Sequence, residues 1–194
     1  MSNNIVGILL AAGQSKRFGG NKLLHTLPDS NETIAYHSAS KLLRVLPNSI
    51  AIINDNENLK QELTRTGIKV IENNKATLGM SSSIACAIQH STNASGWVIS
   101  LADMPYIPEQ IYQRVVDNLK SGHKIVAPTF NKQQGHPVGF ASTFINELLN
   151  LEGDRGARNI IHDNTSYLHI FETHSNEILK DIDHLDDLNR TNSD

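Results

Sequence analysis

The run Ile5-Val6-Gly7-Ile8-Leu9-Leu10-Ala11-Ala12-Gly13-Gln14-Ser15-Lys16-Arg17-Phe18-Gly19-Gly20-Asn21-Lys22 stands at the front of the chain. Ile5–Leu10 has no polar side chain and no alternation, the pattern of a strand covered on both faces. The strand breaks into the small residues Ala11, Ala12 and Gly13. Small residues let the backbone approach a bound polyanion, with backbone N–H groups facing its phosphates. Arg17 and Lys22 add positive charge, so the loop reads as a nucleoside triphosphate site. Its spacing is not that of a P-loop, because five residues separate Gly13 from Gly19 and Leu23 follows Lys22. The G-x-G-x-x-G fingerprint is absent too, which disfavours a dinucleotide-dependent oxidoreductase. A glycine-rich turn with solvated basic residues is the plain alternative for this loop.

Outward from that run, apolar strand-like segments alternate with helical stripes. Thr33–Leu46 carries apolar residues at 34, 35, 39, 42, 43 and 46, a helical period. Strands are expected at Ser49–Ile53, Ile68–Ile71, Gly96–Leu101 and Ile125–Ala127, and helices at Asn56–Arg65, Met80–His90 and Pro108–Leu119. This rhythm predicts an α/β fold, three layers around a largely parallel sheet. Beyond residue 128 the rhythm changes. A turn at Phe130–Gly135, a strand at Pro137–Ala141, helices at Thr143–Leu151 and Asp154–Asp163, a strand at Tyr167–Phe171 and a short acidic helix at 181–190 are expected. One domain over 1–194 follows, with nucleotide binding in about 1–128, while about 129–194 completes the sheet and covers the site.

A net charge of −3 supplies no basic field for nucleic acid or membrane phosphates. No apolar run approaches the ~20 residues of a membrane span, and Met1-Ser2-Asn3-Asn4 does not open a signal peptide. A cytoplasmic protein is expected. Cys86 is the single cysteine, so no internal disulfide can form, and it reads as a small packing residue. His162, His169, His174 and His184 show no zinc-ligand spacing with one another or with Cys86.

Ligands of open parallel sheets bind beyond the carboxyl ends of the strands. Residues 11–22, 72–83 and 102–105 should therefore meet. Asp103 follows an apolar strand at that edge, where a hard carboxylate can hold Mg²⁺ against triphosphate oxygens; an aspartate opening a turn is the alternative. Gly79-Met80-Ser81-Ser82-Ser83 opens a helix, either as a plain serine cap or with hydroxyls and N–H groups on a nucleotide. Asp154-Arg155-Gly156-Ala157-Arg158 is either a capped helix with exposed arginines or a phosphate grip through Arg155 and Arg158. His136, one of nine histidines, stands in Gly135-His136-Pro137.

Leu10-Ala11-Ala12-Gly13, Arg17-Phe18-Gly19 and Asn21-Lys22-Leu23 resemble the signature loop of Rossmann-like nucleotidyltransferases. Gly79–Ser83, Leu101-Ala102-Asp103-Met104-Pro105, Gly135–Phe140, Gly153–Arg158 and Asp181–Leu188 resemble blocks of the molybdenum cofactor cytidylyltransferases, in the same order. The resemblance implies a three-layer α/β/α nucleotidyltransferase fold with a mostly parallel mixed sheet. It implies transfer of CMP from CTP to the terminal phosphate of molybdopterin, with Mg²⁺, or Mn²⁺ in its place. A recipient molybdoenzyme is a further implied partner. Arg17, Lys22 and Asp103 would be catalytic. Leu10, Ala11, Ala12, Gly13, Arg17, Lys22, Gly79, Ser81 and Ser82 would bind nucleotide, and His136, Arg155 and Arg158 the acceptor. Asp103 and Asp183 would hold the metal, with Asp181 competing for the second place. His184-Leu185 stands where the family usually has threonine-proline. Guanylyl-transferring relatives generally carry a glycine where this chain has Ala12, and the added methyl narrows the pocket in favour of a pyrimidine. Alternatives are another phosphate acceptor such as a sugar or polyol phosphate, GTP as donor, or a non-catalytic nucleotide-binding maturation factor.

Overall fold

The opening apolar run forms β1 (Ile5–Leu10), and all six residues are buried. Its side chains feed two cores: Ile5 and Leu9 enter one, while Val6, Ile8 and Leu10 enter the other. A strand that serves two cores lies in the middle layer of three. The computed structural model describes residues 4–13, 21–28, 30–184 and 186–188. After β1 come α1 (Ile34–Val45), β2 (Ile50–Ile53), α2 (Glu57–Arg65), β3 (Lys69–Glu72), α3 (Met80–Gln89), β4 (Gly96–Leu101) and α4 (Glu109–Lys120). The later elements are β5 (Ile125–Phe130), β6 (Gln133–Gln134), β7 (Val138–Ala141), α5 (Ile145–Leu149), α6 (Arg158–Asp163) and β8 (Leu168–Glu172).

The sheet runs β3-β2-β1-β4-β7-β5-β6, and β8 pairs with β5. β1 is parallel to β2 and β4, β2 to β3, and β5 to β8. β7 is antiparallel to both its neighbours, β4 and β5. Ile34, Leu59, Leu63 and Val115 bring α1, α2 and α4 onto one face. Ile84, Leu148 and Ile160 bring α3, α5 and α6 onto the other. The architecture is the expected three-layer α/β/α arrangement around a mostly parallel mixed sheet. Burying side chains such as Trp97, Phe140 and Tyr112 supplies roughly 1.5–3 kcal/mol each.

Local chemistry sets the element ends. Thr33 Oγ1 accepts from Tyr36 N at 3.2 Å, and Asn56 Oδ1 accepts from Leu59 N at 3.0 Å. Both residues are therefore N-caps, and their helices start one residue later than the apolar stripe suggested. At Gly7 any Cβ would collide with the Ser49 hydroxyl and reach Leu42 Cδ1 at 3.0 Å, so α1 lies close on β1 only because that position is bare.

Four expectations are corrected. β5 continues past Ala127 to Phe130, because β8 pairs along it as far as Thr129↔Glu172. The helix expected at Thr143–Leu151 divides into a 3-10 turn, Ser142–Phe144, and α5. The helix expected from Asp154 begins only at Arg158, since Gly156 has a φ of 57° and Asp154 is bonded elsewhere. No helix covers 181–184; that stretch is held by hydrogen bonds to Asp103 and Asp187, and a single 3-10 turn follows at 186–188.

Candidate active site

The chain leaves β1 toward β2 on one side and later returns to β4 on the other, so the winding reverses between β1 and β4. Such a reversal opens a crevice beyond the carboxyl ends of the two strands. A cavity of about 860 Å³ lies there, within the roughly 300–1,000 Å³ of small-molecule sites. Its wall takes Leu10, Ala11, Ala12, Gly13, Lys22 and Leu23 from the first loop. Ala76–Met80 and Ser83 come from the approach to α3, Leu101 and Asp103 from β4, and Gly153, Asp154 and Asp183 from the last third. Of the three segments expected to meet, the described residues 11–13 and 22, 76–80 and 83, and 103 line this one cavity.

Lys22 opens a short 3-10 turn, Lys22–Leu24, and is only 9% exposed. Its Nζ lies 2.8 Å from Asp103 Oδ2 and 2.8 Å from Asp183 Oδ1. Burial draws its pKa down, but the Asp103 and Asp183 carboxylates outweigh that and hold it above the usual lysine value. The two carboxylates are set by main-chain bonds as well. Ile182 N donates to Asp103 O at 2.9 Å, and Asp187 Oδ2 accepts from Asp183 N and His184 N at 2.9 and 2.7 Å. Asp181 completes an acidic group: Asp103, Asp181 and Asp183 each offer an oxygen within 4.8 Å of the others. Burial, then the charges of Asp183 and Asp103, push the Asp181 carboxyl up. A donor set of three carboxylates fits a hard divalent cation such as Mg²⁺ or Mn²⁺, and offers no soft ligand.

The N-terminal end of α3 forms the opposite wall. Gly79 has φ 99° and ψ −179°, a conformation open only to glycine. Asp154 Oδ1 reaches across 74 positions to accept from Met80 N at 3.2 Å. Ser81 and Ser82 do not line the cavity. Ser81 is fully buried and donates to Glu152 O at 3.1 Å, while Ser82 Oγ donates to Lys75 O and Gly79 O. Ser83 lines it instead, with its hydroxyl accepting from Asn73 Nδ2 at 3.2 Å.

His136, Arg155 and Arg158 are outside the cavity wall. His136 is half-buried, and its backbone N donates to Ile178 O at 2.9 Å. Its Nδ1 is buried with no hydrogen-bond partner among the described residues. Burial lowers its pKa to about 4; Asp103 opposes that and Arg158 adds to it. Arg155 and Arg158 are exposed and make no ion pair among the described residues. Arg17 lies outside the described residues.

Thr77, Leu78, Ser83, Gly153 and Asp154 belong to the cavity but were not singled out as ligand contacts in the sequence. The serine run and the Gly153–Arg158 block were the available signals. Leu78 is 64% exposed at the rim, an apolar residue with no helical stripe to mark it.

A mobile-proton dyad is not what this site offers; it offers paired charges around a polyanion-sized cavity, the equipment of phosphoryl or nucleotidyl transfer. Residues 7–169 match the MobA-like NTP transferase domain, and the chain belongs to that family. It is a nucleotidyltransferase. Among curated relatives, it is 28% identical over 173 residues to the purine catabolism protein PucB of Bacillus subtilis (strain 168), covering 81% of this chain and 80% of that one. It is 25% identical over 123 residues to a probable molybdenum cofactor guanylyltransferase of Thermococcus sibiricus, covering 63% and 60% of the two chains. The crystal structure of Rv0371c from Mycobacterium tuberculosis H37Rv superposes with a TM-score of 0.83 at 24% identity, over 98% of this chain and 97% of that one. A complex of Rv0371C with manganese superposes with a TM-score of 0.78 at 23% identity, over 96% and 97%. Among the described residues no helix is long and apolar enough to cross a membrane.

Proposed function

We propose that this nucleotidyltransferase transfers CMP from CTP to the terminal phosphate of molybdopterin and releases pyrophosphate. The observation that carries the reading is the meeting of Lys22 with Asp103 and Asp183 on the wall of the crevice beyond β1 and β4. In the reaction an acceptor phosphate oxygen attacks the α-phosphorus while pyrophosphate leaves in line. Attacker and target are both anionic, so positioning and charge neutralisation dominate. Lys22 and Arg17 offset the charge of the triphosphate. The backbone of Ala11–Gly13 follows the phosphates, and Gly79 with Ser83 borders the nucleotide from α3. A phosphate nucleophile is already ionised near pH 7, so no general base is required, in keeping with a His136 whose pKa of about 4 makes it a weak base there.

Asp103 and Asp183 would hold a divalent cation, with Asp181 beside them. When bound, such an ion supplies positive charge to the phosphate oxygens. The manganese complex of Rv0371C supports a divalent ion in this fold. Cytosine is favoured by Ala12, on the cavity wall, whose methyl group leaves less width than a glycine. The molybdopterin acceptor is supported by the sequence blocks described above and by the Thermococcus relative. His136, Arg155 and Arg158 stand on the acceptor side, and the chain divides its labour near residue 128. The same relative, named a guanylyltransferase, favours a second reading in which GTP is the donor.

The test is a panel of the four nucleoside triphosphates, each with purified molybdopterin and, in parallel, with a sugar or polyol phosphate, read by pyrophosphate release. CTP should turn over fastest. Faster turnover of GTP would replace the donor, and release only with a sugar or polyol phosphate would replace the acceptor. Nucleotide binding without pyrophosphate release under any combination would leave a non-catalytic maturation factor.

A further inference from the structure

Lys22 is usually expected to face a triphosphate, yet its ammonium is 2.8 Å from both Asp103 and Asp183. Those are the carboxylates best placed to take a cation. One ammonium and one divalent ion cannot share the space between the same two oxygens, since both are positive and both need those oxygens at contact distance. The backbone that carries the acidic pair is held without the lysine. Ile182 N holds Asp103 O, and Asp187 holds the backbone of 183 and 184. Lys22 also lines the cavity, so its side chain has somewhere to go.

We infer that Lys22 is an exchangeable internal counter-ion: a divalent cation takes its place between Asp103 and Asp183, and the released ammonium turns into the cavity toward the nucleotide phosphates. This inference rests on the proposed metal role of Asp103 and Asp183. It makes cation and nucleotide binding mutually dependent. The cation must displace a salt bridge, and a triphosphate gives the displaced lysine a new partner. By linkage each ligand then raises the affinity for the other by the same factor. Lys22 acts here as a positioning residue for the ion, before any contact it makes with substrate.

The experiment measures Mn²⁺ binding to the full chain by calorimetry and electron paramagnetic resonance, with and without α,β-methylene-CTP. Wild type, Lys22→Gln, Lys22→Met and Asp103→Asn are compared, with folding checked by circular dichroism. In wild type the analogue should tighten Mn²⁺ binding by about tenfold or more, in the usual range of coupling between sites. Removing the ammonium should tighten Mn²⁺ binding about tenfold without any nucleotide, and the further gain from the analogue should shrink. Equal or weaker Mn²⁺ binding in both folded Lys22 variants, with binding still lost in Asp103→Asn, overturns the exchange while leaving the metal role intact. Mn²⁺ binding unchanged in Asp103→Asn overturns the metal role itself and the exchange with it. If neither Lys22 variant folds, acetylation of the wild-type lysine, followed by mass spectrometry, decides. Mn²⁺ should accelerate modification of Lys22 several-fold, and an unchanged rate overturns the exchange.

Discussion

Replacing Gly79 with alanine should separate the scaffold of the crevice from its ligand contacts. The residue sits at φ 99° and ψ −179°, where a side chain costs roughly 1–3 kcal/mol. Its new Cβ would also stand 2.8 Å from Asp154 Oδ1, 2.8 Å from Gly153 O and 3.0 Å from Asp154 Cα. Two of those atoms are backbone, so the 153–154 loop must move as a unit and the Asp154 bond to Met80 N is lost with it. Forced repacking of that kind adds about 1–3 kcal/mol. The sum is about 2–6 kcal/mol, and a chain of this size loses roughly 2–4 °C of melting temperature per kcal/mol. The melting temperature followed by circular dichroism should therefore fall by roughly 4–24 °C. Gly13→Ala is the control: its Cβ would meet nothing within 4 Å and its φ is not positive, yet the residue lines the same cavity. That variant should melt within about 1 °C of the parent while its KM for CTP rises. A Gly79→Ala protein that melts with the parent would refute the argument that this wall is fixed by a glycine-only bend against 153–154.

Asp103→Asn should lower the transfer rate by about 10²–10³, the usual effect of losing one organised charge contact, in a protein with an unchanged far-ultraviolet spectrum; a loss under tenfold would remove Asp103 from the reaction. Ser81→Ala should cost about 1 kcal/mol of stability by freeing the Glu152 carbonyl and leave the KM for CTP alone, whereas Ser83→Ala should raise that KM; the reverse pattern would exchange their roles. His136, with a folded pKa of about 4, binds fewer protons folded than unfolded between pH 6.5 and 4. Stability should therefore fall as the pH drops through that window, by at most about 1.4 kcal/mol per pH unit from this group. The difference in denaturation midpoint between wild type and His136→Gln should be constant above about pH 6.5, shift against the wild type between pH 6.5 and 4, and level off below pH 4, and parallel curves through that window would disprove the assignment.

Local physics made much of this molecule readable in advance. Ile5–Leu10 and Gly96–Leu101 are strands with the ends that their apolar runs mark. Thr33 and Asn56 cap the helices that they precede. Asp103 could be placed at the ligand edge because it follows such a strand directly. Pairing across long separations was not readable in the same way. Nothing near Val138 states that its strand will run against β4, and Pro128 hid the true length of β5 because proline usually ends a strand. The helix expected from Asp154 failed because its carboxylate answers Met80, 74 positions away. Ser81 and Ser82 are the serines expected on a nucleotide, with a plain cap as the alternative, but a helix turns successive residues apart, so Ser81 and Ser83 face different neighbours and Ser83 is the one on the cavity wall. The bridge from Lys22 to Asp183 spans 161 positions, beyond any local signal.

The reversed strand β7 has one more effect. With Ile99 opposite Val138 and Gly96 opposite Ala141, its beginning, rather than its end, borders the crevice. The donor loops all leave strands there, while Gly135-His136-Pro137 enters one. On the proposed reading the acceptor is therefore met by a segment entering the sheet and the triphosphate by segments leaving it, and His136 N, donating to Ile178 O at 2.9 Å, ties that entering segment to the last third of the chain.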